Sequence, residues 1–130
     1  MTKPPKEPYT NQEEIHNQIV SFLESQLKGT NCEAYIFGSL ATRKFGRYTR
    51  PYKGQDGSDV DLVVFINQKD IPETWIDLNT EKTWWRAYES GKITVNNTQH
   101  VIIPIVVKPG MENYARNRMR ELNWTIEKVF

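Results

Sequence analysis

Two stretches organise this chain: Tyr35-Ile36-Phe37-Gly38-Ser39, and Gly57-Ser58-Asp59-Val60-Asp61-Leu62-Val63-Val64-Phe65. The first is a short apolar run that ends in Gly-Ser, and the second is an apolar run that opens with two acids one residue apart. Because side chains alternate across a β-strand, Asp59 and Asp61 are predicted to point to the same face. An apolar row is then predicted on the opposite face, formed by Val60, Leu62, Val64 and Ile66.

The paired acids and the Gly-Ser turn together predict a site for a metal ion and a phosphate. Two neighbouring carboxylates repel each other unless a cation lies between them. Mg²⁺ prefers oxygen ligands and is commonly held by one or two carboxylates plus substrate phosphates. A glycine at position 38 lets the backbone approach a ligand closely, and a short helix that begins at Ser39 would direct free N–H groups at an anion. We interpret this combination as a nucleotide-handling arrangement.

The order of these motifs resembles the nucleotidyltransferase superfamily of DNA polymerase beta. That family has an apolar strand, a Gly-Ser, a short helix and then Asp-x-Asp on the next strand. This chain has Gly38-Ser39 and then Ser58-Asp59-Val60-Asp61 within residues 35 to 66. Its size resembles the minimal prokaryotic members, many of which are encoded beside a helical partner as toxin–antitoxin pairs. The resemblance implies an α/β (α+β) nucleotidyltransferase fold with a small mixed sheet flanked by helices.

The resemblance also implies an activity and a set of site residues. Asp59 and Asp61 would be the catalytic residues and would hold Mg²⁺ or Mn²⁺. Gly38 and Ser39 would hold the β and γ phosphates of a nucleoside triphosphate. The reaction would transfer a nucleoside monophosphate to a hydroxyl of a protein or RNA, and a helical toxin-like protein would be a further partner.

Three more residues are predicted to bind nucleotide from their positions. Arg43 and Lys44, on the expected helix after the Gly-Ser turn, would neutralise charge on the leaving pyrophosphate. Ser58 would either cap the turn before the acids or contact phosphate. The alternative for the acid pair is a solvated strand end that holds no metal.

The family uses a third carboxylate on a later strand, and the candidate strand here, residues 101–107, contains no acid. His100 lies at the end of that strand, and Glu81, Glu89 or Glu112 could fill the gap through folding. The alternative hypothesis is therefore a catalytically impaired nucleotidyltransferase-fold protein. It would bind nucleotide or RNA, or act as a partner module in a toxin–antitoxin pair.

The segment between the two motifs, residues 46–57, is predicted to be a loop rich in Gly, Pro, Tyr and basic residues. One interpretation is a solvated surface loop. The other is a guide for a polyanion, in which Arg and Lys contact phosphates and Tyr stacks on bases. A third hypothesis for the whole protein, a nucleic-acid binder that uses the basic residues between 43 and 53, is weakened by the net charge of +1.

Composition indicates one globular domain. The 130 residues are 38% hydrophobic and 25% charged. We expect a flexible tail at residues 1–9 and a single domain at residues 10–130. Cys32 is the one cysteine, which excludes an intramolecular disulfide. With no signal peptide or membrane-length apolar run, the chain is predicted to be cytoplasmic and to have no membrane partner.

Periodicity and turn residues predict most of the secondary structure. The predicted elements are a helix with a Thr10–Glu13 capping box that ends at Gly29, strands at 33–37 and 60–66, a short helix at 40–44, a hairpin of 93–95 with 101–107 around Asn96-Asn97, and a last helix at 111–128. Pro104 predicts an edge position or a bulge for its strand. Residues 71–90 stay open: Pro72 could begin a helix, and residues 84–88 fit helix or strand.

Overall fold

The computed structural model describes residues 2–130, which have the predicted mixed α+β architecture. The helices are α1 (Gln12–Leu27) and α2 (Glu112–Glu121), and the strands are β1 (Lys6–Pro8), β2 (Cys32–Phe37), β3 (Gly46–Tyr52), β4 (Gln55–Gly57), β5 (Val60–Ile66), β6 (Ile76–Glu81), β7 (Trp85–Glu89), β8 (Gly91–Val95), β9 (Thr98–Val107) and β10 (Glu127–Lys128). Neither helix of this part of the chain is long and apolar enough to cross a bilayer.

Seven strands form one mixed sheet in the order β10-β2-β5-β9-β7-β6, with β8 also paired to β9. The two motif strands, β2 and β5, are antiparallel neighbours, and β5 runs parallel to β9 on its other side. The remaining strands form a small sheet in the order β1-β3-β4. The last residues of β2 and the first residues of β5 therefore lie at the same end of the large sheet. Ser58 and Asp59 connect the small sheet to the large sheet there.

Helix α1 covers one face of the large sheet and completes a dry core there. Its helical-period residues Ile15, Ile19, Leu23 and Leu27 are buried. In the predicted apolar row of β5, Val60, Leu62 and Val64 are buried and Ile66 is partly buried against the same core. Each such side chain contributes roughly 1.5–3 kcal/mol through removal from water. Helix α2 covers the other face with Ala115 and Met119, over a smaller cluster that includes Val63 and Ile105.

Three predictions near the site are wrong. Residues 40–44 form hydrogen-bonded turns, in which the N–H of Thr42 donates to Gly38 and that of Lys44 to Ser39, and not a helix. The predicted loop at 46–57 is a β-hairpin, because Lys53 and Gly54 adopt positive φ angles of 51° and 77° that close a tight turn. The predicted flexible tail contains β1, which pairs with β3; Met1 lies outside the described residues.

Further predictions are wrong at element ends. The first helix begins after Asn11 with no side-chain cap, so the expected capping box at Thr10 is absent. The last helix stops at Glu121, because Asn123 adopts a positive φ of 55° and the chain then returns to pair with β2 as β10. Residues 76–81 and 85–89, part of the region left open, are strands.

Pro104 lies in the central strand β9, not at the predicted edge. β9 pairs with β5 on one side and with β8 and β7 in turn on the other. The β8 ladder ends opposite Ile102 and the β7 ladder begins opposite Ile105. Pro104 therefore occupies the gap where the antiparallel partner changes and no ladder donor is required there.

Candidate functional site

The acid pair lies at the end of the large sheet where β5 begins. Asp61 is the second residue of β5, opposite Phe37 of β2 and Ile103 of β9, and Asp59 directly precedes the strand. The two-residue period of the strand puts both carboxylates on the α2 side of the sheet. The β2–β5 register thus brings the end of the first motif to the start of the second.

Gly38 lies directly against Asp61, and a side chain at this position would be strained. Its φ is +73°, in the left-handed region that favours glycine, and a Cβ built on it would be 2.6 Å from Oδ2 of Asp61. The N–H groups of residues 39–41 take no part in the backbone hydrogen bonds of the described chain. The turn after Gly38 therefore leaves three N–H groups without a backbone acceptor among the described residues, although it is not a helix.

Both carboxyl groups are held in an environment that opposes their charge. Burial first, and then the neighbouring charge of Asp59, raise the pKa of Asp61 from its ordinary 3.8 to about 7, against the opposing effects of Lys6 and Lys3. Burial also raises the pKa of Asp59, and Lys3 and Lys6 oppose that rise. Oδ1 of Asp59 is a buried oxygen with no hydrogen-bond partner in residues 2–130. Buried polar atoms usually have partners, so this oxygen fits a ligand such as a metal cation.

The structure places no third carboxylate beside the pair. Residues 2–130 contain no cluster of three or more acidic, histidine or cysteine side chains suited to a metal. Ile103 occupies the neighbouring position on β9, on the same face as Asp61. A divalent ion here would have two protein carboxylates and would take its other oxygens from water and phosphate, as Mg²⁺ commonly does.

None of the side chains considered as replacements for that carboxylate completes a three-residue cluster with the acid pair among residues 2–130. Glu81 forms ion pairs with Arg86 of β7 and with Lys108, which follows β9, and Glu89 lies opposite Ile76 in the β6–β7 ladder. Glu112 lies at the start of α2, beside a different cavity that Cys32 and Asn67 also line.

His100 is fully buried and braces the acid-bearing turn from the α1 side. Its Nδ1–H donates to the carbonyl of Ser58 at 2.8 Å, and its Nε2 accepts from the Tyr9 hydroxyl at 2.8 Å. Burial lowers the pKa of the imidazole, which favours this neutral form. Ser58 is also buried, and its Oγ accepts from the N–H of Gly46 at 3.3 Å. Ser58 therefore joins the segment before the acids to the start of β3, and both of its predicted roles stay predictions.

Arg43 and Lys44 do not converge on the acid pair. The Arg43 guanidinium donates to Glu13 of α1 at 2.6 Å and to Glu127 of β10 at 2.9 Å, and so joins the Gly-Ser turn to two distant elements. Lys44 is exposed and forms no ion pair with another of residues 2–130. Two other lysines, Lys3 and Lys6, act on the carboxyl groups instead. Both lysines lie in the segment that was predicted to be a tail, because no local sequence pattern predicts the pairing of β1 with β3.

A cavity of about 510 Å³ opens beside the acid pair on the α2 face. Asp59, Asp61, Gln55 and Thr80 supply its polar wall, and four aliphatic and three aromatic side chains form the rest. Phe37 and Trp124 stack at 4.7 Å with an interplanar angle of 12°. Trp85 contributes a further ring. The cavity therefore combines a carboxylate end with an aromatic body large enough for a small organic ligand.

Comparison of the chain with protein-family models, with curated proteins and with solved structures gave no match.

Proposed function

We propose that this protein binds a nucleoside triphosphate with a divalent cation, Mg²⁺ or Mn²⁺, and transfers the nucleoside monophosphate to a hydroxyl of a protein or RNA. The observation that carries the proposal is the half-buried Asp59–Asp61 pair, in which Asp59 has a buried oxygen without a partner in the described chain and Asp61 packs directly against Gly38. Buried like charges at the end of a strand destabilise a protein unless a ligand compensates for them. A cation that brings phosphate oxygens is the ligand that fits both the acids and the close glycine backbone.

Asp59 and Asp61 would hold the cation. When bound, it supplies charge stabilisation to the phosphates and lowers the pKa of the attacking hydroxyl. The free N–H groups of residues 39–41 would contact phosphate oxygens. Lys3 and Lys6 add positive charge on the same side and balance part of the triphosphate.

The aromatic cavity would hold the apolar part of the nucleotide. Its volume of about 510 Å³ lies in the range of ordinary small-molecule sites. The rings of Trp85, Phe37 and Trp124 offer stacking surfaces, and Gln55 and Thr80 offer hydrogen bonds. Stacking accepts every base, so this wall favours broad base tolerance.

Calorimetric titration of ATP, CTP, GTP and UTP, with Mg²⁺ and with EDTA, tests the binding step. We expect binding that requires Mg²⁺ and that Asp61→Asn weakens more than tenfold. The matched control is Asp70→Asn, which removes the same charge from the turn after β5, outside the site, and should bind like the parent protein. Binding that ignores Mg²⁺, or that Asp61→Asn leaves unchanged, would contradict the proposal.

A second candidate function is favoured by Ile103, which stands where a third carboxylate would lie. In this alternative the protein binds nucleotide without transfer and acts through RNA or a helical toxin-like partner protein. Incubation with each labelled triphosphate, Mg²⁺ and acceptor extracts separates the two candidates. Label incorporation that Asp59→Ala abolishes would exclude the second candidate, and Mg²⁺-dependent binding without incorporation would support it.

A further inference from the structure

The small sheet has one cationic, aromatic face that continues to the acid pair. Pairing places Lys6 beside Tyr48 and Tyr52 beside Gln55, and Arg50 lies between the two tyrosines on β3. Two acids also lie on this surface: Glu7 and Asp56 line the same cavity as Tyr48 and Arg50, and Glu7 forms an ion pair with Arg47. Basic side chains still outnumber acidic ones in the small sheet and the residues before it, so the surface carries net positive charge.

The tyrosines and cations of this face form a defined cluster. The rings of Tyr48 and Tyr52 lie 5.8 Å apart at 70° to each other. Nζ of Lys3 lies 5.6 Å from the Tyr48 ring centre, and Nζ of Lys53 lies 5.5 Å from that of Tyr52. Both tyrosines are partly exposed, and Arg50 and Lys53 are exposed. The spacing presents two aromatic surfaces with a cation at each end.

This cluster, the Tyr48–Tyr52 face, is continuous with the proposed active site. Gln55, the β4 partner of Tyr52, lines the same cavity as Asp59 and Asp61. Lys3, which covers Tyr48, also acts electrostatically on both carboxyl groups. A polymer lying along this face would therefore reach the acid pair with its end.

We propose that the Tyr48–Tyr52 face binds a single-stranded nucleic acid and directs its terminal hydroxyl to the acid pair. On binding, the ammonium groups of Lys3 and Lys53 leave the rings that they cover and contact phosphates together with Arg50, and the uncovered tyrosine rings stack on bases. Single strands expose the base faces that stacking needs, whereas a duplex hides them. The direction of the hydroxyl rests on the proposed function, and the binding does not.

The transfer that follows is balanced without a further reagent. The terminal hydroxyl oxygen forms a bond to the α-phosphorus of the triphosphate. The bond from that phosphorus to the bridging oxygen breaks, pyrophosphate leaves, and the hydroxyl proton passes to water. The strand grows by one nucleotide.

Fluorescence anisotropy with a 5′-labelled 12-nucleotide RNA tests the binding, in EDTA and without triphosphate. The full chain is expected to bind the single strand, and single-stranded DNA of the same sequence is expected to bind as well, because stacking and phosphate contacts are common to both. Tyr48→Leu with Tyr52→Leu should weaken binding roughly tenfold or more. The pair Tyr48→Phe with Tyr52→Phe retains the rings and should bind like the parent.

A charge series adds a second readout. Arg50→Gln with Lys53→Gln should reduce the slope of log affinity against log salt by about 1.4, since two phosphate contacts are lost. Lys28→Gln with Lys92→Gln removes two exposed charges outside the small sheet and should leave the slope unchanged. Melting temperatures of all variants confirm that they are folded.

Several outcomes would overturn the proposal: no binding of the single strand at 50 mM salt, equal binding of the duplex, equal binding of a polyglutamate peptide, or full binding by the leucine variant. Because no nucleotide or metal is present, these results are independent of the proposed function. If the protein binds the oligonucleotide but no triphosphate, the proposed function is wrong and the proposal for the Tyr48–Tyr52 face is supported.

Discussion

The two faces of strand β5 have opposite characters. On the α1 face, Val60, Leu62 and Val64 are completely buried in a continuous core. On the α2 face, Val63 is equally buried, but the row ends in Asp61 and Asp59 beside an open cavity. Consecutive side chains of β5 point to opposite faces of the sheet. The side chains on the α1 face therefore stabilise the fold, and those at the start of the strand on the α2 face form a charged site. The α1 face should govern stability, and the cavity end of the α2 face should govern binding.

The largest expected effect on stability is on the α1 face. Leu62→Ala should lower the free energy of unfolding by about 2–5 kcal/mol, because it leaves a void in a fully buried core. Ile103→Ala, on the cavity side and partly exposed, should cost clearly less. Urea denaturation of both variants measures the difference. Equal losses in the free energy of unfolding would contradict the expectation that the α1 face governs stability more than the cavity end of the α2 face.

Asp61→Asn should stabilise the metal-free protein at neutral pH. The folded-state pKa of Asp61 is raised to about 7 from 3.8, so folding favours the protonated carboxyl. The contribution of Asp61 to the free energy of unfolding should therefore be most favourable below pH 4. It should fall as pH rises towards 7, by an amount on the order of a few kcal/mol. Asp61→Asn should flatten that fall.

The measurement is thermal or urea denaturation from pH 4 to pH 8 in EDTA, with Asp70→Asn as the charge control. Millimolar Mg²⁺ should restore stability to the parent near pH 8, since the cation binds the ionised pair. A parent protein whose stability does not fall across this range would show that the acids are compensated from within the chain.

Gly38→Ala tests the contact that joins the two motifs. The substitution should cost about 1–3 kcal/mol through backbone strain, with an added loss from contact with Asp61. Gly54→Ala is the matched control, because Gly54 has a similar φ of +77° but open space around its Cβ position. Combining Gly38→Ala with Asp61→Ala should recover part of the added loss, as a double-mutant cycle would measure. Strictly additive costs would exclude the contact.

The smallest expected effect concerns Arg43. Arg43→Met should lower the free energy of unfolding by less than about 1 kcal/mol, because its pair with Glu127 is near the surface and screened. Nucleotide affinity should change little, since the guanidinium points to α1 and β10. A large loss of triphosphate binding, with Lys44→Met as the comparison, would instead support the phosphate role that its sequence position suggests.

The local sequence pattern correctly predicted the secondary-structure elements that depend least on contacts with distant parts of the chain. Apolar spacing found α1, and alternation found β2 and β5; Asn96 and Asn97 predicted the hairpin, and both adopt the positive φ that such turns need. The prediction of a helix after Ser39 was wrong, because the eight residues between β2 and β3 leave room only for tight turns. The prediction of a loop at 46–57 was wrong because the Gly, Pro and Tyr content is typical of a loop, whereas the segment forms a hairpin. Strand β1, from a distant part of the chain, pairs with this hairpin and stabilises it.

The sequence by itself determined that Asp59 and Asp61 share a face and that a glycine precedes them on the other motif, since both follow from strand alternation and residue identity. Only the tertiary structure decided what surrounds them: Ile103 as the neighbour of Asp61 on β9, Lys3 and Lys6 as neighbouring charges, and the aromatic cavity. Strand order and register arise from the packing of the whole sheet against both helices. No local spacing encodes which distant side chain will lie beside a given carboxylate.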